Sequence, residues 1–279
     1  MRSEVRRQRA SDWPGKPPER ALSYRWKIEG AKNMADETII AWTDHTFNPW
    51  WGCVKVSPGC AHCYAEALSK RYGNDVWGGK ADRRFFGAKH WAKPLQWNRE
   101  AQQAGQIHRV FCASMADVFE DRADLAPERA RLWEVIRETP SLHWQILTKR
   151  PENIEKLLPA DWPLQNVWLG TSIESMDYAW RADALRKIPA AVRFISYEPA
   201  LGPLDGLDLT GIDWVICGGE SGNGFRPMDM DWARNMRDKC KAAGVSFFFK
   251  QSSHRFTERG IELDGKIIRE YPAPRKIKP

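Results

Sequence analysis

The chain has 279 residues, of which 42% are hydrophobic and 28% are charged, and its formal net charge is +7 at pH 7. This composition predicts a soluble globular protein with a sizeable core and no membrane partner, because no apolar run approaches the roughly 20 residues that a bilayer-spanning helix requires. The N-terminus lacks the apolar middle region of a secretory signal, so we expect a cytoplasmic protein, in which clustered cysteines indicate metal binding or catalysis rather than disulfides.

The N-terminal segment carries most of the positive charge. Residues 1–33 contain nine Arg/Lys and four Asp/Glu, which leaves a net charge of +2 for the remaining 246 residues. Because the segment is rich in proline and poor in aliphatic residues, we predict that residues 1–37 form a disordered basic extension that the fold does not need. The alternative is an arm that binds nucleic acid. Met34 is a candidate start of the ordered protein.

From residue 39 onward, short apolar runs rich in β-formers alternate with amphipathic stretches. The predicted strands are 39–47, 109–115, 143–149, 166–172, 192–198, 214–220 and 246–251. The predicted helices are 61–72, 127–138, 151–158, 175–188 and 230–243.

Nearly continuous apolar strands that alternate with helices indicate parallel βα units with both sheet faces covered. Seven such strands in about 210 residues fit an α/β fold with a partial β/α barrel of six to seven strands better than a small doubly wound sheet. We therefore assign residues 38–252 to one barrel domain and residues 253–279 to a C-terminal tail.

Polar residues gather where six of the predicted strands end. In a barrel, the loops after the carboxyl ends of the strands form the active site, so these residues predict a shared polar mouth. They are Ser114 and Asp117; Thr148, Lys149 and Arg150; Thr171, Ser172 and Glu174; Ser196 and Glu198; Glu220 and Ser221; Lys250 and Gln251.

The loop after the first strand, "FNPWWGCVKVSPGCAHCYAE", contains three cysteines in the spacing C-x6-C-x2-C. Three thiolates on one glycine-containing loop suit a soft metal. A zinc site of three cysteines and one histidine is one reading, with His45, His62 or His90 as the fourth ligand, although zinc sites usually consist of two separated ligand pairs. The other reading is a [4Fe–4S] cluster on Cys53, Cys60 and Cys63 that keeps one iron open for a cofactor or substrate.

Seven motifs in order resemble the three-Cys-motif phage protein family, a radical-SAM-like family described as a domain of unknown function. They cover roughly residues 38–252 and are "NPWWGCVKVSPGCAHCYAE", "SMADVFE", "LTKRP", "VWLGTSIE", "RFISYEPALGP", "WVICGGESG" and "FFFKQ". The family is distantly similar to spore photoproduct lyase, a DNA-repair radical enzyme.

The resemblance implies a radical S-adenosylmethionine enzyme whose [4Fe–4S] cluster cleaves that cofactor to a 5′-deoxyadenosyl radical. It implies an external electron donor of the flavodoxin or ferredoxin type, a three-Cys-motif partner protein, and nucleic acid or a nucleotide as substrate, in base modification or repair of DNA. Whether the enzyme is a lyase, an isomerase or a transferase is left open.

The resemblance also implies roles at single positions. Ser114 and Asp117 would take the cofactor's amino group, Lys149 its carboxylate, and His62 would lie near the adenine. Thr171, Ser172 and Glu198 are the expected ribose or methionyl contacts. Two features depart from the wider superfamily: its usual cysteine spacing is C-x3-C-x2-C, and its Gly-Gly-Glu follows the second strand rather than the sixth.

The segment 80–100 mixes lysines and arginines with Phe85, Phe86, Trp91 and Trp97. Such a mixture suits a surface that follows a nucleic-acid backbone and stacks on its bases. It equally suits a long connection whose aromatics pack on the barrel. The remaining cysteines, Cys112, Cys217 and Cys240, are predicted to be buried core thiols.

Two further functions are compatible with the residues. One is a zinc-stabilised nucleic-acid-binding protein without catalysis, which would use the same loop and the basic N-terminus. The other is a radical enzyme that acts on a peptide or a small metabolite.

Overall fold

The computed structural model describes residues 38–277, and its centre is a seven-stranded parallel sheet that curls into a partial barrel. The strand order is β1-β4-β5-β6-β7-β8-β9. These strands are β1 His45–Thr46, β4 His108–Cys112, β5 Leu142–Thr148, β6 Val167–Ser172, β7 Val192–Tyr197, β8 Trp214–Gly218 and β9 Ser246–Gln251. The predicted partial β/α barrel is confirmed. A second, antiparallel sheet pairs β2 Trp50–Trp51 with β3 Arg84–Phe85.

Helices cover the outer face of the large sheet. They are α1 Tyr64–Arg71, α2 Ala88–Trp91, α3 Lys93–Gln103, α4 Ala126–Glu138, α5 Ile154–Leu157, α6 Trp180–Arg186 and α7 Met230–Ala243. The longest, α7, begins at Asp229, whose side chain accepts a hydrogen bond from the Asp231 N–H, and ends at Gly244 in the left-handed conformation. No helix in residues 38–277 combines the length and the apolar character that crossing a bilayer would require.

Two hydrophobic clusters lie on opposite faces of the large sheet. The larger one packs between strands and helices, and its members include the buried Cys112, Cys217 and Cys240, as predicted for core thiols. The smaller one fills the concave face at the amino end of the strands. Its members are mainly aromatic: Trp42, Phe111, Val192, Trp168, Phe194, Trp214, Ile216 and Phe248.

The first strand is much shorter than predicted. Residues 39–47 were expected to be extended, but only His45 and Thr46 pair with β4. The preceding residues turn, with the Thr43 N–H donating to the Ile40 carbonyl, and this turn places Trp42 inside the barrel with its ring 4.5 Å from that of Phe111. Burial of the indole therefore outweighs pairing of the strand.

The segment 80–100 is divided between core and surface. Helices α2 and α3 bury Trp91 and Trp97 at 2% and 5% exposure. Phe85 is 43% exposed, and the backbone around it forms the small β2–β3 sheet. The packing interpretation thus holds for Trp91 and Trp97, and the nucleic-acid interpretation of the exposed residues stays a prediction.

The C-terminal tail lies along the free edge of β9 instead of extending into solvent. The Phe249 N–H donates to the Ile268 carbonyl and the Glu270 N–H donates to the Phe247 carbonyl. Tyr271 packs on Trp214 and Phe248, and the guanidinium of Arg109 lies 4.1 Å from its ring. The tail therefore covers an exposed strand edge. The predicted N-terminal extension, residues 1–37, lies outside the described residues.

Candidate metal centre

The concave face of the sheet changes from aromatic to charged along the strands. Side chains two residues apart on a strand share a face. On the concave face, β6 therefore carries Trp168 near its start and Ser172 at its end, and β9 carries Phe248 followed by Lys250. In the same way the chain runs from Phe194 to Glu198 in and after β7. A polar mouth at the carboxyl ends of the strands therefore lies above an aromatic floor.

The cysteine loop follows β2 directly and runs alongside the end of β4. The Gly52 N–H donates to the Met115 carbonyl at 3.0 Å, and Gly52 has a φ of +117°. A β-carbon at Gly52 would lie 2.3 Å from the Val76 carbonyl oxygen, so only glycine fits there. Cys60 ends a 3₁₀ turn, Pro58–Cys60, and Cys63 is the N-cap of α1. The loop therefore connects β2 to helix α1 and is fixed at its start by the backbone after β4.

A buried ion pair lies beside the first cysteine. Arg150 is 2.9 Å from Asp117, and its guanidinium also donates to the Val54 carbonyl at 2.7 Å and lies 3.6 Å from the Cys53 sulfur. Asp117 in turn accepts from the Thr148 hydroxyl and from the Lys149 N–H. The Asp117 carboxylate is therefore occupied by protein groups, and it orients the arginine toward Cys53.

A second buried ion pair lies beside the middle cysteine. Glu174 is 1% exposed and 2.9 Å from Arg181, and it accepts a hydrogen bond from the Ser57 hydroxyl at 2.7 Å. The Ser57 hydroxyl also lies 3.8 Å from the Cys60 sulfur. Glu174, at the end of β6, thus holds the 3₁₀ turn that carries Cys60.

A third pair lies beside the last cysteine. His62 Nδ1 is 2.9 Å from Glu220, and Arg226 is 2.5 Å from the same carboxylate. Glu220 is only 6% exposed. Each cysteine therefore has an ionic anchor near it, and the carboxylates of the three anchors, Asp117, Glu174 and Glu220, follow three different strands, β4, β6 and β8.

Gly59 provides a test of the middle anchor. A β-carbon at Gly59 would lie 2.3 Å from Glu174 Oε1, a carboxylate that is held in place by Ser57 and Arg181. We expect Gly59→Ala to lower the free energy of unfolding by about 1–3 kcal/mol through overpacking and to reduce metal uptake. Urea unfolding and metal analysis measure these effects. Gly79→Ala, where nothing lies within 4 Å of the added carbon, is the control. Equal behaviour of the two variants would refute the bracing role of Glu174.

Burial affects the ionisation of the thiols. Burial raises the pKa of Cys53 to about 12, with Asp117 adding to the rise and Arg150 opposing it. Burial also raises the pKa of Cys63, which the backbone N–H groups at the start of α1 partly offset. Metal binding by these thiols would therefore release protons, and raising the pH would favour it.

The residues fit a three-thiolate metal centre by donor chemistry. Within residues 38–277, no group of three or more His, Cys, Asp or Glu side chains is already arranged around a metal position. The donors that the loop offers are nevertheless three partly exposed thiols with cationic Arg150 and Lys149 nearby, as a negatively charged cluster requires. The buried Ser172 hydroxyl, at the same mouth, has no hydrogen-bond partner among the described residues, so it is available to a bound cofactor.

Two of the three candidate histidines argue against a three-cysteine, one-histidine zinc site. His90 stacks on Phe47 and its Nε2 lies 2.8 Å from the Asn48 carbonyl oxygen. His45 stacks on Trp97 and lies 3.1 Å from His108. His62 is next to Cys63 in the chain, but its ring is paired with Glu220. His45 and His90 are thus engaged elsewhere, whereas the pairing of His62 Nδ1 with Glu220 is compatible with a metal bond at Nε2.

Three of the residues predicted to contact a cofactor have protein partners in the fold. Ser114 shares hydrogen bonds with Asn48 and accepts one at its carbonyl from Tyr64. Lys149 Nζ lies 3.6 Å from Glu174 at the mouth, and Glu198 lies 2.9 Å from Lys250.

Thr171 is on the other face of β6 from Ser172. Its side chain is fully buried, and its hydroxyl donates to the Thr148 carbonyl at 3.0 Å. The alternation of β6 therefore brings Ser172, but not Thr171, to the concave face. The predicted contact between Thr171 and a cofactor stays a prediction, and no observed interaction of Thr171 supports it.

Sequence reasoning missed Arg181, Arg226 and Asn48 as residues that shape the site. Arg181 lies in helix α6 and Arg226 lies in a loop, so neither belongs to a strand-end cluster. Their partners, Glu174 and Glu220, were recognised at the strand ends. The one signal that could have found these arginines is the acidic residue after each apolar strand, because a carboxylate that becomes buried requires a counter-charge.

A cavity of about 340 Å³ opens beside the loop, within the roughly 300–1,000 Å³ range of small-molecule sites. Its lining is mixed polar and apolar: Pro58, Glu174, Ser175, Asp177, Tyr178, Leu201, Arg226 and Pro227. Because Pro58 and Glu174 belong to the anchor of Cys60, a ligand in this cavity would be adjacent to the cysteine loop.

Comparison with solved structures matches three point mutants of spore photoproduct lyase. Each is 14% identical in sequence, the TM-scores are 0.46, 0.45 and 0.47, and the alignments cover 75% of this chain. The matched region spans 64% of each spore photoproduct lyase chain. No curated protein gives a significant match.

A family model described as "Protein of unknown function (DUF5131)" matches residues 37–272. The matched region contains all seven motifs and the entire barrel. The resemblance to a family of unknown function, which the motifs predict, is confirmed.

Proposed function

The chain belongs to the DUF5131 family of proteins of unknown function, and on this premise we propose that it is a radical S-adenosylmethionine enzyme. A [4Fe–4S] cluster would be held by Cys53, Cys60 and Cys63, and the substrate would be a nucleic acid or a nucleotide, in base modification or repair. The observation that carries the proposal is a loop of three cysteines, each near an ion pair with a buried carboxylate, at the mouth of a partial β/α barrel.

The number of thiols supports a cluster with one open position. Full coordination of a [4Fe–4S] cluster takes four thiolates, and the other three cysteines of the chain are buried at 0% exposure among apolar side chains. When bound, the cluster and S-adenosylmethionine supply reductive cleavage to a 5′-deoxyadenosyl radical, while the protein binds, orients and shields.

The chain's own residues would divide this work. The anchors Arg150, Glu174 and Glu220 fix the loop. Lys149 and Ser172, on the concave face, offer a cation and an unpaired hydroxyl to the cofactor's carboxylate and polar groups. Glu198 and Lys250 form a partly buried pair farther along the same mouth, where the substrate would be held. The floor of tryptophans and phenylalanines excludes water from below.

Anaerobic purification tests the proposal. We expect brown protein with about four irons per chain and an absorption band near roughly 400 nm. Reduction in the presence of S-adenosylmethionine is expected to yield 5′-deoxyadenosine, and an external flavodoxin- or ferredoxin-type donor would supply the electron. Colourless protein that holds one zinc under the same conditions would support the zinc-stabilised binding protein instead.

The substrate class needs a separate measurement. Deuterated nucleic acids, nucleotides, peptides and metabolites can be supplied one class at a time, and transfer of the label to 5′-deoxyadenosine identifies the class. Label from a peptide or a small metabolite alone would contradict the nucleic-acid part of the proposal and leave the radical chemistry in place.

A further inference from the structure

The positive charge of the described chain is concentrated in one short segment. Residues 70–93 contain seven Arg/Lys and two Asp, a net charge of +5. The rest of the described chain, residues 38–69 and 94–277, contains 26 Arg/Lys and 28 Asp/Glu. Glu120 and Glu66, outside the segment, offset Arg83 and Lys70. The remaining charge lies mainly on the exposed Arg71, Lys80, Arg84 and Lys89, to which a polyanion would be attracted.

Exposed aromatic rings lie in the same place. Tyr72 and Phe85 are 65% and 43% exposed. The Arg84 guanidinium lies 4.8 Å from the centre of the Trp51 ring and 5.4 Å from that of Phe86. Trp51 also contacts Tyr72, at 6.2 Å between ring centres. We call this group, Trp51, Tyr72, Arg84, Phe85 and Phe86, the aromatic platform.

The platform is held rigidly from beneath. Arg83, the neighbour of Arg84, is buried and lies 2.6 Å from Glu120, and its guanidinium donates to the carbonyls of Val76, Gly78 and Ala81. The register of β2 and β3 places Trp51 opposite Arg84. The exposed rings are therefore presented by a fixed backbone, which lowers the entropic cost of binding.

The platform also adjoins the cysteine loop. Trp51 is two residues from Cys53, and the Gly78 N–H donates to the Cys53 carbonyl at 2.9 Å. A polymer that contacts the platform would have its neighbouring units at the mouth of the barrel.

We propose that the aromatic platform binds single-stranded nucleic acid and delivers it to the site at the mouth. Exposed rings between arginine and lysine side chains provide stacking for unpaired bases and charge for the phosphates. In a duplex the bases are stacked on one another, so they are not available to stack on these rings, and only the phosphates can contact the platform. Delivery of the strand to the mouth rests on the proposed function, but binding of the strand to the platform does not require the cluster.

Fluorescence anisotropy with a labelled single strand of about 16 nucleotides, and with the matching duplex, tests the proposal. We expect tighter binding of the single strand. Phe85→Ala should weaken single-strand binding about 5-fold or more, because one base–aromatic stack contributes on the order of 1–3 kcal/mol. Arg84→Gln should weaken binding and lower the slope of log affinity against log salt concentration by about 0.7.

Two control substitutions lie outside the segment. Phe256→Ala removes another exposed phenylalanine, 60% exposed and close to Arg255, and Lys241→Gln removes an exposed charge from α7. Neither should change the affinity by as much as the platform variants. Circular dichroism and the iron content of each variant report whether it is folded.

Three outcomes would overturn the proposal: equal affinity for single strand and duplex, equal losses in platform and control variants, or no binding of nucleic acid at low salt. The last would indicate a surface for a protein partner. Because anisotropy does not require the cluster, single-strand binding by colourless, iron-free protein would support the platform while contradicting the radical enzyme. Protein that contains iron and forms 5′-deoxyadenosine but does not bind single-stranded nucleic acid would support the radical enzyme and contradict the platform.

Discussion

Cys60→Ala is expected to abolish the brown colour, the bound iron and the formation of 5′-deoxyadenosine together. A three-thiolate cluster has no spare ligand, since the other cysteines are buried at 0% exposure and belong to the core between sheet and helices. Two remaining thiolates on a loop do not hold a cubane cluster with an open iron. Iron analysis, the visible spectrum and chromatography of the reaction products measure the three losses after anaerobic purification.

Cys240→Ala is the matched control. It also removes one thiol, but from the buried face of α7, where the side chain acts as a small hydrophobe. It should keep the iron and the reaction at a modest cost in stability. If Cys60→Ala still forms 5′-deoxyadenosine, or if Cys240→Ala loses iron to the same extent, the assignment of the ligands is wrong.

Arg181→Met is expected to have the largest effect on stability. It leaves the Glu174 carboxylate, 1% exposed, without its closest cation, and Lys149 at 3.6 Å compensates only in part. Removal of one partner from a buried ion pair costs about 3–5 kcal/mol, because the remaining charge is buried without compensation. Chemical denaturation measures the loss, and the iron content should fall as well, since Glu174 holds Ser57 beside Cys60.

Two comparisons separate this effect from general damage. The double variant Glu174→Gln/Arg181→Met removes both charges and should recover much of the stability. Arg234→Met, in α7, breaks exposed pairs with Asp231 and Asp264 and should change stability little, because water screens such pairs. A single variant Arg181→Met as stable as Arg234→Met would contradict the anchoring role of the buried pair.

Much of the barrel could be predicted because its strands are short, apolar and separated by amphipathic helical stretches. The strand predicted at 246–251 and the helix predicted at 230–243 have the observed bounds. The polar mouth could be predicted too, since parallel strands all end at one edge and the residues that follow them must meet there.

The interactions that shape the mouth could not be predicted. Ser57 and Glu174 are 117 positions apart, and Arg150 and Cys53 are 97 apart, so no local pattern links them. Asp117 illustrates the consequence: its position suggested a contact with the cofactor, but in the fold its oxygens are used by Thr148, Lys149 and Arg150. The first strand was too long in the prediction because burial of Trp42 depends on partners that only the closed sheet provides.

The covering of the barrel's amino end by Trp42 and Tyr271 has a consequence for the chain's connectivity. The Tyr271 hydroxyl donates to the Ala41 carbonyl at 3.4 Å, and the Ile277 N–H donates to the Gln165 side chain just before β6. Both limits of the described chain therefore lie at the pole opposite the mouth. In a chain limited to residues 38–277, we expect a linker between these limits, with new termini at the exposed turn around Gly105, to give a circular permutant. Such a permutant would keep every strand neighbour and all three anchors of the cysteine loop, with only the order of synthesis altered.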